Sequence, residues 1–240
     1  MDKELNILIL AAGKSSRIRL NKSKIFLEIN SKTLLEHSIE FARKLEPKNL
    51  YIIINPKFKF LEKKIKNCKF IYQSKPSGTG SAVKQFLKKK PKENKLLVTY
   101  ADTPFLNIKS AKKIIKRLDH VDLVLYSFMS KNNKNYGLIK KDKNNKIMEI
   151  IEYSTANKFN RKIQLCNSGM VGISKKHYKN IFNIKKNAIS KECYLTDIVK
   201  ISYKKKVSIE NIVEHNKKYL IGVNTLKDFI NLKKKIRDKK

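Results

Sequence analysis

Apolar runs and helical spacings alternate along the first 130 residues. Leu5-Asn6-Ile7-Leu8-Ile9-Leu10 reads as a buried strand, and Leu50 to Ile54, Leu96 to Tyr100 and Asp122 to Tyr126 read the same way, with Lys69 to Tyr72 as a short strand between them. The intervening stretches Thr33 to Leu45, Ser81 to Lys89 and Ser110 to Leu118 place apolar residues three and four apart, the period of a helix with one buried face. Strand and helix in alternation predict an α/β fold: a Rossmann-like, mostly parallel sheet with helices on both faces.

The rhythm changes after residue 130. Tyr136 to Lys140 and Ile147 to Ile151 flank the polar run 141–146 and predict a hairpin. Met170 to Ile173 predicts a further strand; Lys191 to Tyr203 and Leu226 to Arg237 predict helices. The expectation is one domain over 1–240. A nucleotide-binding half spans about 1–130, a smaller β-containing insertion region about 131–225, and a C-terminal helix with a basic tail 226–240.

Composition changes this picture in one respect. The formal net charge is +36, from 56 Lys and Arg against 20 Asp and Glu, which taken alone points to nucleic acid or an anionic membrane. Arg, however, stands only at 17, 19, 43, 117, 161 and 237, and Lys, Ile and Asn, all with AU-rich codons, are abundant throughout. Nucleic-acid readers place Arg and aromatics at defined positions. The charge therefore reads as compositional bias that still favours encounter with a polyanionic NTP, without specific nucleic-acid binding. Cys68, Cys166 and Cys193 form no CxxC pair, and no apolar run is long enough to span a bilayer, so a cytoplasmic protein is expected.

Three segments carry candidate chemistry. Leu10-Ala11-Ala12-Gly13-Lys14-Ser15-Ser16-Arg17 directly follows the first strand. Small residues there let backbone N–H groups approach phosphate oxygens, and Lys14 and Arg17 add charge. Gln73-Ser74-Lys75-Pro76-Ser77-Gly78-Thr79 again follows a strand and precedes a helix; an amide such as Gln73 can pair with a pyrimidine edge, Gly78 allows close backbone approach and Thr79 supplies a hydroxyl, or else Ser77 or Thr79 caps the helix. Tyr100-Ala101-Asp102-Thr103-Pro104 puts a carboxylate at a strand's carboxyl end, where it can bind Mg²⁺ or cap the next helix. His37, His120, His177 and His215 show no metal-ligand spacing.

In order, these segments resemble the sugar-phosphate nucleotidyltransferases, most of all the N-terminal part of the bacterial N-acetylglucosamine-1-phosphate uridylyltransferases. Leu-Ala-Ala-Gly followed by Arg17 resembles the family's opening signature, and Lys24 stands where the family has a phosphate-gripping Lys, with Ser23 in place of the usual Pro. Tyr100-Ala101-Asp102 resembles Tyr-Gly-Asp. Tyr136-Gly137, Ile151-Glu152 and Asn167-Ser168-Gly169 resemble sugar-contacting segments, and Glu192-Cys193-Tyr194-Leu195-Thr196-Asp197-Ile198 is similar to the uridylyltransferases' Glu-Tyr-Tyr-Leu-Thr-Asp-Ile. Gly222-Val223-Asn224 resembles the family's Gly-Val-Asn, although Asn224 or Thr225 can equally cap the last helix.

The resemblance implies a nucleotide-diphospho-sugar transferase type of fold and a site assigned residue by residue. Leu10, Ala11, Ala12, Gly13, Lys14, Arg17, Lys24, Gln73, Gly78, Thr79, Tyr100 and Asp102 would bind the nucleotide, with Arg17, Lys24 and Asp102 carrying catalysis. Gly137, Glu152, Asn167, Tyr194 and Thr196 would bind the acceptor. Asp102 and Asn224 would hold Mg²⁺. UTP and N-acetylglucosamine 1-phosphate are the favoured substrates; a cytidylyltransferase or other NTP transferase with a different acceptor, and a non-catalytic basic module, are the alternatives. The chain stops at Lys240, so no hexapeptide-repeat acetyltransferase domain is expected.

Overall fold

The computed structural model describes residues 2–13, 23–134, 136–188, 190–216, 222–223 and 225–237. The strands in chain order are β1 (Asp2–Leu10), β2 (Glu28–Ile29), β3 (Lys32–Thr33), β4 (Pro47–Ile54), β5 (Lys69–Tyr72), β6 (Lys95–Tyr100), β7 (Leu123–Met129), β8 (Gly137–Lys141), β9 (Ile147–Glu152), β10 (Leu165–Ser174) and β11 (Ile209–Glu214). The helices are α1 (Leu34–Arg43), α2 (Leu61–Lys64), α3 (Thr79–Leu87), α4 (Ile108–Arg117), α5 (Tyr178–Ile181), α6 (Asp197–Lys204) and α7 (Leu226–Arg237).

The main sheet runs β11-β7-β10-β6-β1-β4-β5, and β8 leaves this path to join β10 to β9. β5, β4, β1 and β6 are mutually parallel; β10 alone is antiparallel to its neighbours β6 and β7, and β11 lies parallel to β7. The carboxyl ends of β1, β4, β5, β6 and β7 and the start of β10 therefore share one end of the sheet, the end at which open α/β sheets bind ligands.

Side-chain alternation builds two cores. Leu5, Ile7 and Ile9 of β1 face Leu35, Ile39 and Ala42 of α1 and Ile114 of α4 on one side. Leu8 of β1, with Ile53 and Val98, faces Val83 and Phe86 of α3, Ile181 of α5 and Ile198 of α6 on the other. The α1 start is fixed by a capping box: the Thr33 hydroxyl accepts from the Glu36 N–H at 3.2 Å, and the Glu36 carboxylate accepts from the Thr33 N–H at 2.7 Å. A third cluster docks α7 through Leu232 onto Ile29, Leu34 and Val223, next to the β2–β3 hairpin.

Three expectations change. The helix expected from Lys191 begins only at Asp197, because residues 191–196 lie against the loop before α3 instead. The strand expected over Met170–Ile173 starts at Leu165. In the smaller β region β8 and β9 form the expected hairpin and β10 returns into the main sheet between β6 and β7, while β11 adds an edge that apolar patterning did not mark.

Candidate active site

One cavity of about 470 Å³ opens at the carboxyl end of the sheet. Its floor is the run of residues just past the strands. Ala11 N–H donates to Ile53 O at 2.8 Å and Ala101 N–H to Leu10 O at 3.1 Å, so the sheet's hydrogen bonding continues one residue beyond β1 and β6 before each chain turns into the cavity. Leu10, Ala11, Ala12 and Gly13 line the wall there. Lys14 and Arg17, the two cations expected to follow, lie outside the described residues, as does Asn224.

Asp102 comes off β6 into this cavity, and Lys24, at the start of a short 3₁₀ turn, forms an ion pair with its carboxylate. Asp102 is not a helix cap; Asn107 caps α4 by accepting from the Lys109 N–H. The Asp102 backbone carbonyl accepts from the Val223 N–H at 2.7 Å, which brings the segment at 222–223 alongside the carboxylate. At the start of α7, the Thr225 hydroxyl accepts from the Asp228 N–H at 3.1 Å and the Asp228 carboxylate from the Thr225 N–H at 2.8 Å. Thr225 therefore caps that helix.

The donor chemistry suits a small hard cation. Mg²⁺ is held through one or two protein oxygens together with substrate phosphates and water. Asp102 offers such an oxygen beside the cavity and already attracts a cationic side chain. Among the described residues no group of three or more His, Cys, Asp and Glu could form a cage for a metal.

Two chain segments close one side of the cavity. Cys193 N–H donates to Ser77 O at 2.8 Å, Gly80 N–H donates to Cys193 O at 2.8 Å, and Leu195 N–H donates to the Thr79 hydroxyl at 2.9 Å. The contact is so tight that a Cβ on Gly78 would sit 2.3 Å from Cys193 O, and Gly78 has φ +97°, a conformation that only glycine adopts without strain. Neither Ser77 nor Thr79 caps α3; Gly78 occupies the cap position and Thr79 is the first helical residue. The Thr79 hydroxyl is thus committed to holding the second segment in place. Gln73, positioned by its N–H donating to Ile54 O at 2.9 Å, is buried and lines the cavity.

The opposite wall is made by β8, β9 and β10. Gly137 pairs with Glu152 across β8 and β9. The β10–β7 ladder is broken between Asn167 and Val171, and the Ser168 hydroxyl donates to Tyr126 O at 2.9 Å within that break. Such a bulge re-aims side chains at a sheet's rim. Gly169, at φ +98°, lies so close to the Tyr100 ring that a Cβ would meet it at 3.0 Å. Tyr100 thereby sits between the two walls. Burial pushes its phenol well above the ordinary value, the carboxylates of Asp102 and Glu152 add to this, and the hydrogen bond to Thr79 partly offsets it.

The cavity gathers Leu10 to Gly13, Lys24, Gln73, Gly78, Thr79, Tyr100, Asp102, Gly137, Glu152, Asn167, Tyr194 and Thr196 on one surface. Sequence reasoning assigned no role to Ser168, Glu192 and Gly222, which also line it. Each lies within a segment already singled out, so membership of that segment was the available signal. His177 is buried between α5 and α6, its ring 2.6 Å from the Ser202 hydroxyl and 2.7 Å from the Asn180 side-chain amide, far from any metal-binding grouping.

Residues 7–163 match the model of the MobA-like NTP transferase domain. Two curated relatives, each called bifunctional protein GlmU, align with the chain. The one from Buchnera aphidicola subsp. Schizaphis graminum is 34% identical over 242 residues, spanning 100% of this chain and 52% of the relative. The one from Francisella tularensis subsp. holarctica is 33% identical over 223 residues, spanning 92% of this chain and 49% of the relative. The chain thus spans about half the length of the curated relatives it matches. Among solved structures, a Bacillus anthracis protein assigned as a glucose-1-phosphate thymidylyltransferase, in complex with sucrose, superposes with a TM-score of 0.78 at 18% identity, covering 98% of this chain and 96% of that one. That likeness establishes the mixed α/β fold.

Proposed function

The chain belongs to the family of MobA-like NTP transferase domains, and on that premise we propose that it transfers the nucleoside monophosphate of UTP to a sugar 1-phosphate, N-acetylglucosamine 1-phosphate being the favoured acceptor. The observation that carries this reading is a single cavity with a carboxylate and a lysine in contact on its floor, a buried amide on the base side, and hydrogen-bonding side chains on the facing wall. The first pair suits a triphosphate with a divalent cation. The amide suits a pyrimidine edge. Glu152, Asn167, Tyr194 and Thr196 suit the hydroxyls and phosphate of a sugar phosphate.

In the proposed reaction a phosphate oxygen of the acceptor attacks the α-phosphorus in line, the α–β phosphoanhydride bond breaks, and pyrophosphate leaves with the electron pair. The nucleophile is already an anion, so no general base is needed, and catalysis is positioning plus charge neutralisation. The small residues Ala11, Ala12 and Gly13 let the backbone approach the phosphates. Lys24, paired with Asp102 on the cavity floor, would place its charge beside the triphosphate, and Lys14 and Arg17 are assigned to the same anion. Asp102 and Asn224 would hold Mg²⁺, which when bound would supply positive charge to stabilise the departing pyrophosphate. Gln73 selects the base. Glu152 and Asn167 orient the sugar, with Tyr194 and Thr196 beside its phosphate.

The test is pyrophosphate release with ATP, CTP, GTP and UTP against a panel of phosphorylated acceptors, with and without Mg²⁺. Turnover confined to UTP and a hexosamine 1-phosphate, and abolished by chelation, is the expected result. Turnover with CTP and phosphocholine instead, or none with any sugar phosphate, counts against the acceptor assignment.

A further inference from the structure

Glu214 ends β11 and is 7% exposed. Its carboxylate collects four donors from three stretches of chain. One oxygen accepts from the Tyr126 hydroxyl at 2.6 Å, the Asn107 side-chain amide at 2.8 Å and the Ser110 hydroxyl at 3.0 Å; the other accepts from the Asn216 N–H at 2.8 Å. A buried carboxylate is tolerated only when its oxygens are met in this way. Burial pushes its carboxyl up, but the bonds from Tyr126, Asn216, Asn107 and Ser110 outweigh that and hold it below the ordinary value.

What these donors have in common is where they lead. Asn107 ends the loop that begins at Asp102 and caps α4. Tyr126 uses its carbonyl to accept from Ser168, the neighbour of Asn167 in the cavity wall. At the other end of the loop that reaches Asn107, the Asp102 carbonyl accepts from the N–H of Val223, next to the cavity residue Gly222. The loop that leaves Asp102 and the β7–β10 wall of the cavity are thus tied to the same carboxylate.

We propose that Glu214 is a positioning residue for the cation-binding edge of the site, fixing through Asn107 and Ser110 the loop that carries Asp102, and with it the Val223 N–H bond to the Asp102 carbonyl. The proposal rests on the assignment of Asp102 and Asn224 to the cation. A carboxylate that only holds a core together offers a contrast at the other end of the sheet: Glu93 accepts from Asn6 and Asn49, both at 2.9 Å, and touches nothing in the cavity.

The test compares Glu214→Gln and the milder Tyr126→Phe with Glu93→Gln in the full chain. Three quantities are read: amide exchange at Val223 by NMR, the Mg²⁺ concentration for half-maximal pyrophosphate release, and Tm. Removing a group that orients metal ligands typically costs about 10–100-fold in metal affinity. Glu214→Gln is expected to raise the Mg²⁺ requirement about tenfold or more and to speed Val223 exchange, while kcat at saturating Mg²⁺ changes much less. Tyr126→Phe should shift both in the same direction by less, and Glu93→Gln should lower Tm alone. If Glu214→Gln and Tyr126→Phe lower Tm but leave Val223 exchange and the Mg²⁺ requirement as in the wild type, Glu214 is a structural residue only and the proposal is overturned. A wild-type protein with no Mg²⁺-dependent release overturns the functional reading instead, and Val223 exchange still decides whether Glu214 braces the loop.

Discussion

At the scale of single residues, the site is built from side chains whose positions the backbone dictates. Asp102 is held where β6 ends, between the Ala101 N–H bond to β1 and the Val223 N–H bond to its own carbonyl. Asp102→Asn keeps the shape and removes the charge. Turnover is expected to fall by about a hundredfold or more with Tm little changed; turnover equal to wild type at saturating Mg²⁺ removes Asp102 from the reaction. Gln73 makes a different kind of contribution. A buried amide left facing the wrong base loses about 1–3 kcal/mol per unpaired group. UTP should therefore exceed ATP and GTP in kcat/KM, and Gln73→Ala should compress that ratio more than it alters the Mg²⁺ requirement. Unchanged ratios in Gln73→Ala would assign base choice elsewhere. Of the site residues, those in strand-end motifs were readable, because an apolar run followed by small residues or a carboxylate marks a strand's carboxyl end. The commitment of the Thr79 hydroxyl to Leu195 was not readable, since it joins residues more than a hundred positions apart.

At the scale of elements, the fit between the loop before α3 and the segment 192–196 decides the shape of the cavity. Leu195 stands three and four residues before Ile198 and Val199, so helical spacing continues backwards past the start of α6 towards Lys191. The backbone N–H and C=O of Cys193 are instead spent on Ser77 and Gly80. The strands β1, β4 and β6 were legible as apolar runs because both of their faces are buried. β11, with the sequence Ile-Glu-Asn-Ile-Val-Glu, was not, because its place at the edge is set by pairing with β7. Gly78→Ala tests the fit directly. A Cβ would meet the Cys193 backbone, and a left-handed conformation costs a non-glycine residue about 1–2 kcal/mol before any clash. Lower Tm together with raised KM for both substrates is expected; a variant with wild-type KM values would show that the two segments need not meet. The packing of α5 on α6 carries a pH dependence. Burial holds the His177 ring below its ordinary value of 6.5, with Lys205 acting in the same sense and Asp122 against it. The unfolded chain takes up that proton first, so the folded state loses stability as pH falls through about 6.5. His177→Gln should be less stable at pH 8, and its Tm should fall less steeply than the wild type's between about pH 7 and 5; parallel Tm curves would show that His177 takes up its proton equally readily in the folded and unfolded states.

At the scale of the whole molecule, the question is what a charge of +36 does. The solvent face of α4 shows its distribution: Lys109, Lys112, Lys113 and Lys116 are exposed, while Ala111, Ile114 and Ile115 are buried. The lysines thus cover the side of the helix opposite its core contacts and lie outside the lining of the cavity. Ammonium groups on flexible stems attract any polyanion and read none in particular. Binding to duplex DNA is therefore expected to be weak and insensitive to sequence. Each phosphate neutralised releases counterions, so affinity should fall steeply, by about 10³–10⁵ between 50 and 200 mM salt if 6–10 phosphates are contacted. The same field acts on the nucleotide. Long-range attraction raises the encounter rate of an NTP and is screened over about 8 Å at physiological ionic strength. Added salt should thus lower kcat/KM for the NTP while leaving kcat at saturation nearly constant, and a neutral inhibitor should show no such trend. Stopped-flow association of the nucleotide across a salt series, beside DNA binding over the same series, separates the two uses of the charge. Sequence-selective DNA binding that survives 200 mM salt would reverse the weighting and make nucleic acid a partner in its own right; a salt-dependent NTP association rate beside vanishing DNA affinity makes the lysines a general attractor for the substrate.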